Sequence, residues 1–458
     1  MNIRVRLRTS PALWTAPVWV GIIIFYFFYV MHLEDSRQEV VAGPLWAPQQ
    51  VAVSLSYFYA FAYAITMGLA VWEGGRLVKD GVWALAPGRS RYRVAAHTLA
   101  PVIVAGWLIL LLPVVMRLIE TGLVPSPRGL APLLMGMGIV CAYAVVGCGL
   151  GHIGPRLIVA PLSCIMLFYL ISGSGGYSEP VWPRHTFGQI DTSLAFGELY
   201  DAPSVLVPFL FAAAGAVAVS AWWLSASRSW LWRTSAVAVA LAVMVSCART
   251  AAGWGIADGP VSAGHAAVSC TGSAPRVCMA RDGGAIGSLD EVQGEVAGAV
   301  KRLQAAGVNV EMPDTVSDSV LVERHRKRSS ASTWWLPLSR QAGQLGGGMT
   351  NIRYAVLLTS VRFPCVLPEH FDRGKSADWV VPHDAAMLWA AKKIDSDKPY
   401  LAWRRSEYGG AFQNSGEVLT KVEQLAEQSS KLPTTAKQSD WFHLEQEKAC
   451  KLARAGRQ

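Results

Sequence analysis

Residues 94–116 read VAAHTLAPVIVAGWLILLLPVVM, with no Asp, Glu, Lys or Arg among them. A helix needs about 20 mainly apolar residues to cross the hydrocarbon core of a bilayer, where its backbone N–H and C=O groups must bond one another. The stretch has that length and predicts a transmembrane helix. Working outward, similar runs predict further spans at Pro17–Leu33, Val51–Trp72, Leu130–Leu150, Pro155–Ser172, Val205–Leu224 and Leu231–Ala248. That makes seven, of which the first and fifth are short. The seventh contains Arg233, which must reach the interface from the helix end.

Charge is segregated along the 458 residues. Residues 1–257 hold 16 Lys and Arg against 10 Asp and Glu, and residues 258–458 hold 25 against 22. The first part is charge-poor, whereas the second has the composition of an ordinary globular domain. Two thirds of the net charge of +9 lies in the membrane half. Nucleic-acid binding would need a basic, water-soluble face, so no nucleic-acid partner is expected.

Lys and Arg concentrate in short cytoplasmic loops. With the amino terminus inside, the inner segments hold Arg4, Arg6, Arg8, Arg76, Lys79, Arg89, Arg91, Arg93, Arg156, Arg228 and Arg233. The outer loops hold only Arg37, Arg117, Arg128 and Arg184. Trp14, Trp46, Trp72, Trp83, Trp222, Trp223, Trp230 and Trp232 flank the spans, where amphipathic rings favour the headgroup zone. The basic start and first apolar run resemble a signal peptide, but His32-Leu33-Glu34-Asp35 stands where small residues would be needed for cleavage. An uncleaved first span is expected.

Seven spans from an inner amino terminus divide the chain into a transmembrane domain over residues 1–250, a linker over 251–267 and an extracytoplasmic domain over 268–458. The expected setting is a bacterial plasma membrane. Cysteine usage agrees: Cys270 with Cys278, and Cys365 with Cys450, form an even set suited to disulfides in an oxidising compartment. The other reading is four buried free thiols.

The spans place no acid, Lys or Arg in mid-membrane, which disfavours an autonomous ion-driven pump. Gly374-Lys375-Ser376 has the tripeptide of a phosphate-binding loop, but Glu369 occupies the position that needs glycine. Energy for uphill transport would have to come from another polypeptide.

The run Trp72-Glu73-Gly74-Gly75-Arg76, then Asp80-Gly81, then Ala86-Pro87-Gly88-Arg89-Ser90-Arg91-Tyr92-Arg93, resembles the first cytoplasmic loop of actinobacterial membrane subunits of type-2 ATP-binding-cassette exporters. Gly147-Cys148-Gly149-Leu150-Gly151 and Arg156-Leu157-Ile158-Val159-Ala160-Pro161 resemble the small-residue hairpin of those subunits. The likeness covers roughly residues 1 to 225. It implies six core spans, a separate ATPase partner, a homo- or heterodimer and no cofactor. It also implies a coupling helix over residues 73–93, with Glu73, Gly74, Arg76, Arg89, Arg91 and Arg93 as candidate ATPase contacts. A seventh span and an outer domain depart from that pattern.

Glu73 and Arg76 would share a helix face, and Leu77, Val78, Val82, Trp83 and Leu85 would supply an apolar side. The alternative is an amphipathic loop resting on anionic lipid. The fourth-span glycines would serve packing before lining a substrate path. The outer loop from Gly173 to Ser204 is long enough to fold back on the spans.

The outer domain predicts a strand over Pro275–Ala280, a helix over Leu289–Ala306 from apolar residues at Val292, Val296, Val300 and Leu303, and a strand over Val308–Met312. An apolar element over Tyr354–Val361 and helices over Ala385–Ile394 and Val418–Gln428 follow. The whole reads as a helical polytopic membrane protein, six core spans plus a seventh, followed by a small α+β or α/β extracytoplasmic domain. His265, His325, His370, His383 and His443 are dispersed, no metal-ligand spacing occurs, and no nucleophile elbow is present. Arg324-His325-Arg326-Lys327-Arg328 with Trp334-Trp335 suits contact with anionic lipid or envelope polymer, or else a solvated loop followed by buried aromatics. The functional expectation is a permease-like subunit. The alternatives are a non-transporting binding or sensing subunit and a membrane-anchored envelope enzyme.

Overall fold

The structure, a computed structural model, describes residues 10–31, 45–82, 90–176, 179–190, 192–221, 229–256, 258–281, 287–322, 324, 327–338, 349–366, 378–411 and 415–455. The chain divides into two units, one of residues 1–39 and 45–265 and the other of residues 40–44 and 266–458.

In the first unit, α1 (Ala16–Phe25) continues as π-helical Tyr26–Met31. Then come α2 (Ala47–Lys79), α3 (Arg91–Thr121), α4 (Ala131–Leu150), α5 (Arg156–Ser174), α6 (Ala202–Ala221) and α7 (Ser229–Ala252). Among the described residues, six helices are long and apolar enough to cross a membrane, so the protein is a multi-pass helical membrane protein. The first expected span corresponds to the shorter apolar stretch Ala16–Met31. The centre of the unit is α2, which packs against α3, α4 and α5, while α6 joins α4 to α7. Val51, Leu55, Phe58, Tyr59 and Tyr63 of α2 are fully or almost fully buried in that core. Prolines inside α3, α5 and α6 stand within otherwise continuous helices, as membrane helices tolerate.

The stretch expected to be a linker is folded onto this unit as far as His265. Strand β1 (Leu199–Tyr200) pairs antiparallel with β2 (Val261–Ser262), and the Gly259 N–H donates to Thr192 Oγ1 across 2.7 Å.

The second unit is built on a four-stranded sheet ordered β3 (Val268–Thr271), β4 (Arg276–Ala280), β5 (Thr315–Asp318), β6 (Thr333–Leu336). The first pair is an antiparallel hairpin, and the next two pairings are parallel. Helix α8 (Leu289–Ala305) makes the crossover that parallel strands require. It starts with a capping box between Ser288 and Glu291, and Gly307, at φ 83°, follows its end. Its apolar stripe at Val292, Val296, Val300 and Leu303 is buried against Val277, Val316 and Trp334 of the sheet. Helices α9 (Met349–Ser360), α10 (Val380–Lys393), α11 (Asp397–Ala411), α12 (Ser415–Ser430) and α13 (Thr435–Ala455) complete the unit.

The strand expected over Val308–Met312 is not formed. Val308 and Val310 do alternate inward, but Pro313, which has no N–H, follows at once, and ladder pairing begins only at Thr315. The expected apolar element over Tyr354–Val361 lies mostly within α9. Helices α11 and α13 were not anticipated.

Candidate functional site

Thirty-three residues of continuous helix make α2 about 50 Å long, well beyond a hydrocarbon core of about 30 Å. Its last two turns carry the charged residues expected to lie in a loop. Glu73 is only 5% exposed and Gly74 is buried with it. A Cβ on Gly74 would lie 2.3 Å from the Cys148 carbonyl oxygen, so this face of α2 is pressed onto α4. Gly147 and Gly151 repeat the contact, since a Cβ on either would come within 2.5 Å of the carbonyl of Met67 or Val71. Close approach of this kind is how membrane helices gain packing energy where the surrounding lipid removes the hydrophobic contrast.

Glu73 and Gly74, expected among the ATPase contacts, therefore face inward in this chain. The charges of Arg76 and Arg156 act on Glu73. Arg76 Nε lies 3.7 Å from Asp80 Oδ2 one turn on, and the Arg156 guanidinium stands 4.7 Å over the Trp72 ring. Arg91 and Arg93 are exposed on the first turn of α3. Arg89 lies outside the described residues.

At the other end of α2 the loop between α5 and α6 folds back on the helices. Its short helix Trp182–Thr186 buries Arg184, His185 and Thr186, and His185 Nε2 lies 3.0 Å from the Gly255 carbonyl. Tyr63 and Tyr143 donate to the carbonyls of Gly188 and Phe187, and Trp46 Nε1 donates to the Glu198 carbonyl across 2.8 Å. Buried Arg117 donates from Nε to Gln50 Oε1 at 2.8 Å and meets Glu120 at 3.3 Å. These residues close one end of the helix bundle with a set of largely buried polar contacts.

In the second unit both expected disulfides are present. Cys270 and Cys278 are direct cross-strand partners in the β3–β4 hairpin with Cα atoms 4.1 Å apart, and Cys365 reaches Cys450 on α13. The free cysteines Cys141, Cys148, Cys164 and Cys247 are all in the membrane unit.

A charged network missed in the sequence joins α10 to α11. Asp384 is wholly buried; its Oδ1 lies 2.7 Å from Arg404 Nη2 and 2.6 Å from His383 Nδ1, while Tyr408 donates to Oδ2. Arg404 also donates from Nη1 to Glu407 across 2.7 Å and from Nε to Tyr400 across 3.3 Å. Burial opposes the Arg404 charge, but Asp384 and Tyr400 outweigh it and hold its pKa above the ordinary value. The signal was the repeat Tyr400, Arg404, Tyr408, which puts all three on one helix stripe.

Asp318 ends β5. Its Oδ1 accepts from the N–H groups of Val320 and Leu338, each at 3.3 Å, while buried Oδ2 has no hydrogen-bond partner among the described residues. Burial pushes the Asp318 carboxyl up to about 6, against the pull of those two N–H groups. Trp334 is buried on β6, and Lys327 Nζ stands 5.8 Å from the Trp335 ring. Among the described residues, no three His, Cys, Asp or Glu side chains converge as metal ligands.

Comparison with known proteins gives no match to a family model, a curated protein or a solved structure.

Proposed function

We propose that this chain is the membrane-spanning, permease-like subunit of an ATP-binding-cassette export system, driven by a separate ATPase. The observation that carries the reading is the continuity of α2. One unbroken helix joins the closed loop end, through Trp46 and Glu198, to a charged end bearing Arg76, Lys79 and Asp80, and three glycines clamp it to its neighbour. Such a helix can transmit motion from a docked partner without flexing. Of the expected contacts Glu73, Gly74, Arg76, Arg89, Arg91 and Arg93, the exposed Arg91 and Arg93 are the ones proposed to meet the ATPase directly. Positive-inside bias puts that end in the cytoplasm and the disulfide-bearing unit outside.

The test is purification of the full chain from its native membrane in mild detergent, with bound proteins identified by mass spectrometry. A nucleotide-binding ATPase near one copy per chain is expected, and charge reversal at Arg91 and Arg93 should remove it without loss of membrane insertion. Absence of any such ATPase overturns the reading. A non-transporting envelope binding subunit is the second reading, favoured by the buried Asp318 Oδ2, which has no partner among the described residues and sits at the carboxyl end of a parallel strand, where α/β folds place ligands.

A further inference from the structure

One stripe of α2, carrying Ile65, Gly68, Leu69, Trp72 and Arg76, forms the floor of a cavity of about 570 Å³. One wall is the amino-terminal segment with Trp14, Val18 and Trp19, and the other is α5 with Ala160, Pro161 and Cys164. Gly68 lets α2 and α5 approach closely at the base of the groove, since a Cβ there would stand 3.2 Å from Cys164 Cβ. Trp14 and Val18 are exposed at the rim, so the cavity is an open groove. Its lining is apolar except at one end. The hydroxyl of Thr15 is already bonded to the Pro11 carbonyl at 3.0 Å, which leaves the Arg76 guanidinium as the charged group.

We infer that this groove binds one acyl chain of an anionic phospholipid, with the lipid phosphate at Arg76. Three observations support that occupant. Along a helix, residues 65 to 76 span about 17 Å, close to the roughly 15 Å depth of a single leaflet. The volume suits a small ligand, whereas a partner helix about 10 Å across would fill more than twice that space over the same length. At the Arg76 end the described helix termini carry Arg76, Lys79, Arg91, Arg93 and Arg156 against Glu73 and Asp80. Glu73 is buried, and the 3.7 Å contact between Asp80 and Arg76 lies on an exposed surface, where such pairs are weak. An anionic headgroup therefore meets a net positive rim, and a neutral zwitterion gains less.

The test is native mass spectrometry of the delipidated full chain in detergent, with phosphatidylglycerol and phosphatidylcholine of identical chains added separately. One phosphatidylglycerol should be retained about tenfold more tightly than phosphatidylcholine, because both offer a phosphate to Arg76 but only phosphatidylcholine brings a quaternary ammonium against the basic rim. Val18→Trp, which fills the groove from its exposed rim, should weaken both lipids about tenfold while the protein stays monodisperse. Arg76→Gln should keep the chain contact and weaken both lipids, phosphatidylglycerol more, so that the difference between them narrows. Equal retention of the two lipids by the unaltered protein, or unchanged binding in Val18→Trp, overturns the assignment. A dimer mass that Val18→Trp abolishes also overturns it, and gives the groove to a second copy of the chain. No ATPase enters the measurement, so its failure is separate from failure of the transport reading.

Discussion

The Tyr63 hydroxyl donates to the Gly188 carbonyl across 3.1 Å, tying the middle of α2 to the loop between α5 and α6. Gly188 has φ 92°, and a Cβ there would meet the Tyr63 ring at 2.9 Å and Ile139 at 3.0 Å. Tyr63→Phe removes one neutral hydrogen bond and should cost about 0.5–1.5 kcal/mol. Gly188→Ala should cost more, about 1–3 kcal/mol, because backbone strain is added to the clash. The midpoint of thermal aggregation of the detergent-solubilised protein, followed by size-exclusion chromatography, should rank them in that order. Equal effects would mean that the loop is held by other contacts.

Gly74→Ala should lower the same midpoint, because its methyl would meet backbone at 2.3 Å and α2 would have to move away from α4. Overpacking of this kind costs about 1–3 kcal/mol. Gly21→Ala is the matched control, since a Cβ on Gly21 has no neighbour within 4 Å. A Gly74→Ala protein as heat-stable as Gly21→Ala would show that the two helices are not closely crossed.

The two disulfides should differ in value to the fold. The loop closed by Cys270 and Cys278 separates them by 8 residues, and that closed by Cys365 and Cys450 by 85. In the chain-entropy picture these contribute about 2.5 and about 4.5 kcal/mol. Denaturant unfolding should show a larger loss for Cys365→Ser with Cys450→Ser than for Cys270→Ser with Cys278→Ser. Peptide mapping without reductant should find both linked pairs, and free thiols at these positions would remove the basis of the comparison.

Asp318 gives the second unit a pH response with an unusual sign. Its carboxyl is pushed up to about 6 in the fold, whereas an unfolded aspartate titrates near 3.9. The folded state therefore binds more protons between those values, and the destabilising contribution of this residue grows as pH rises from about 4 to about 6. Below about 4 both states are protonated and the effect is gone. Asp318→Asn should raise stability at pH 7.5 by about 2–3 kcal/mol, a gain that shrinks towards zero as pH falls from about 6 to about 4. Denaturant midpoints of the two proteins across that range provide the check, and a pH-independent difference would overturn it.

Hydropathy and charge alone were enough to locate the membrane helices, because a bilayer imposes one length and one polarity on whatever crosses it. Residues 94–116 lie inside α3 whatever surrounds them. The stripe of Val292, Val296, Val300 and Leu303 likewise announced α8, since an amphipathic helix writes its buried face into its own spacing. Strand β6 is only four residues long, too short for its alternation to show, and α11 and α13 are mostly polar helices whose burying partners lie far away in sequence.

The orientation of Glu73 could be decided only by tertiary contacts. Its neighbours in sequence are basic and glycine residues that read as a cytoplasmic loop. Gly74 turns that face onto Cys148, seventy-four residues away, and takes the carboxylate inside with it. The Asp384 and Arg404 network is of the same kind: each residue alone looks like a surface charge. Burial becomes possible only when α10 and α11 bring opposite charges and tyrosine hydroxyls together, because a lone buried charge costs more than a helix can recover by packing.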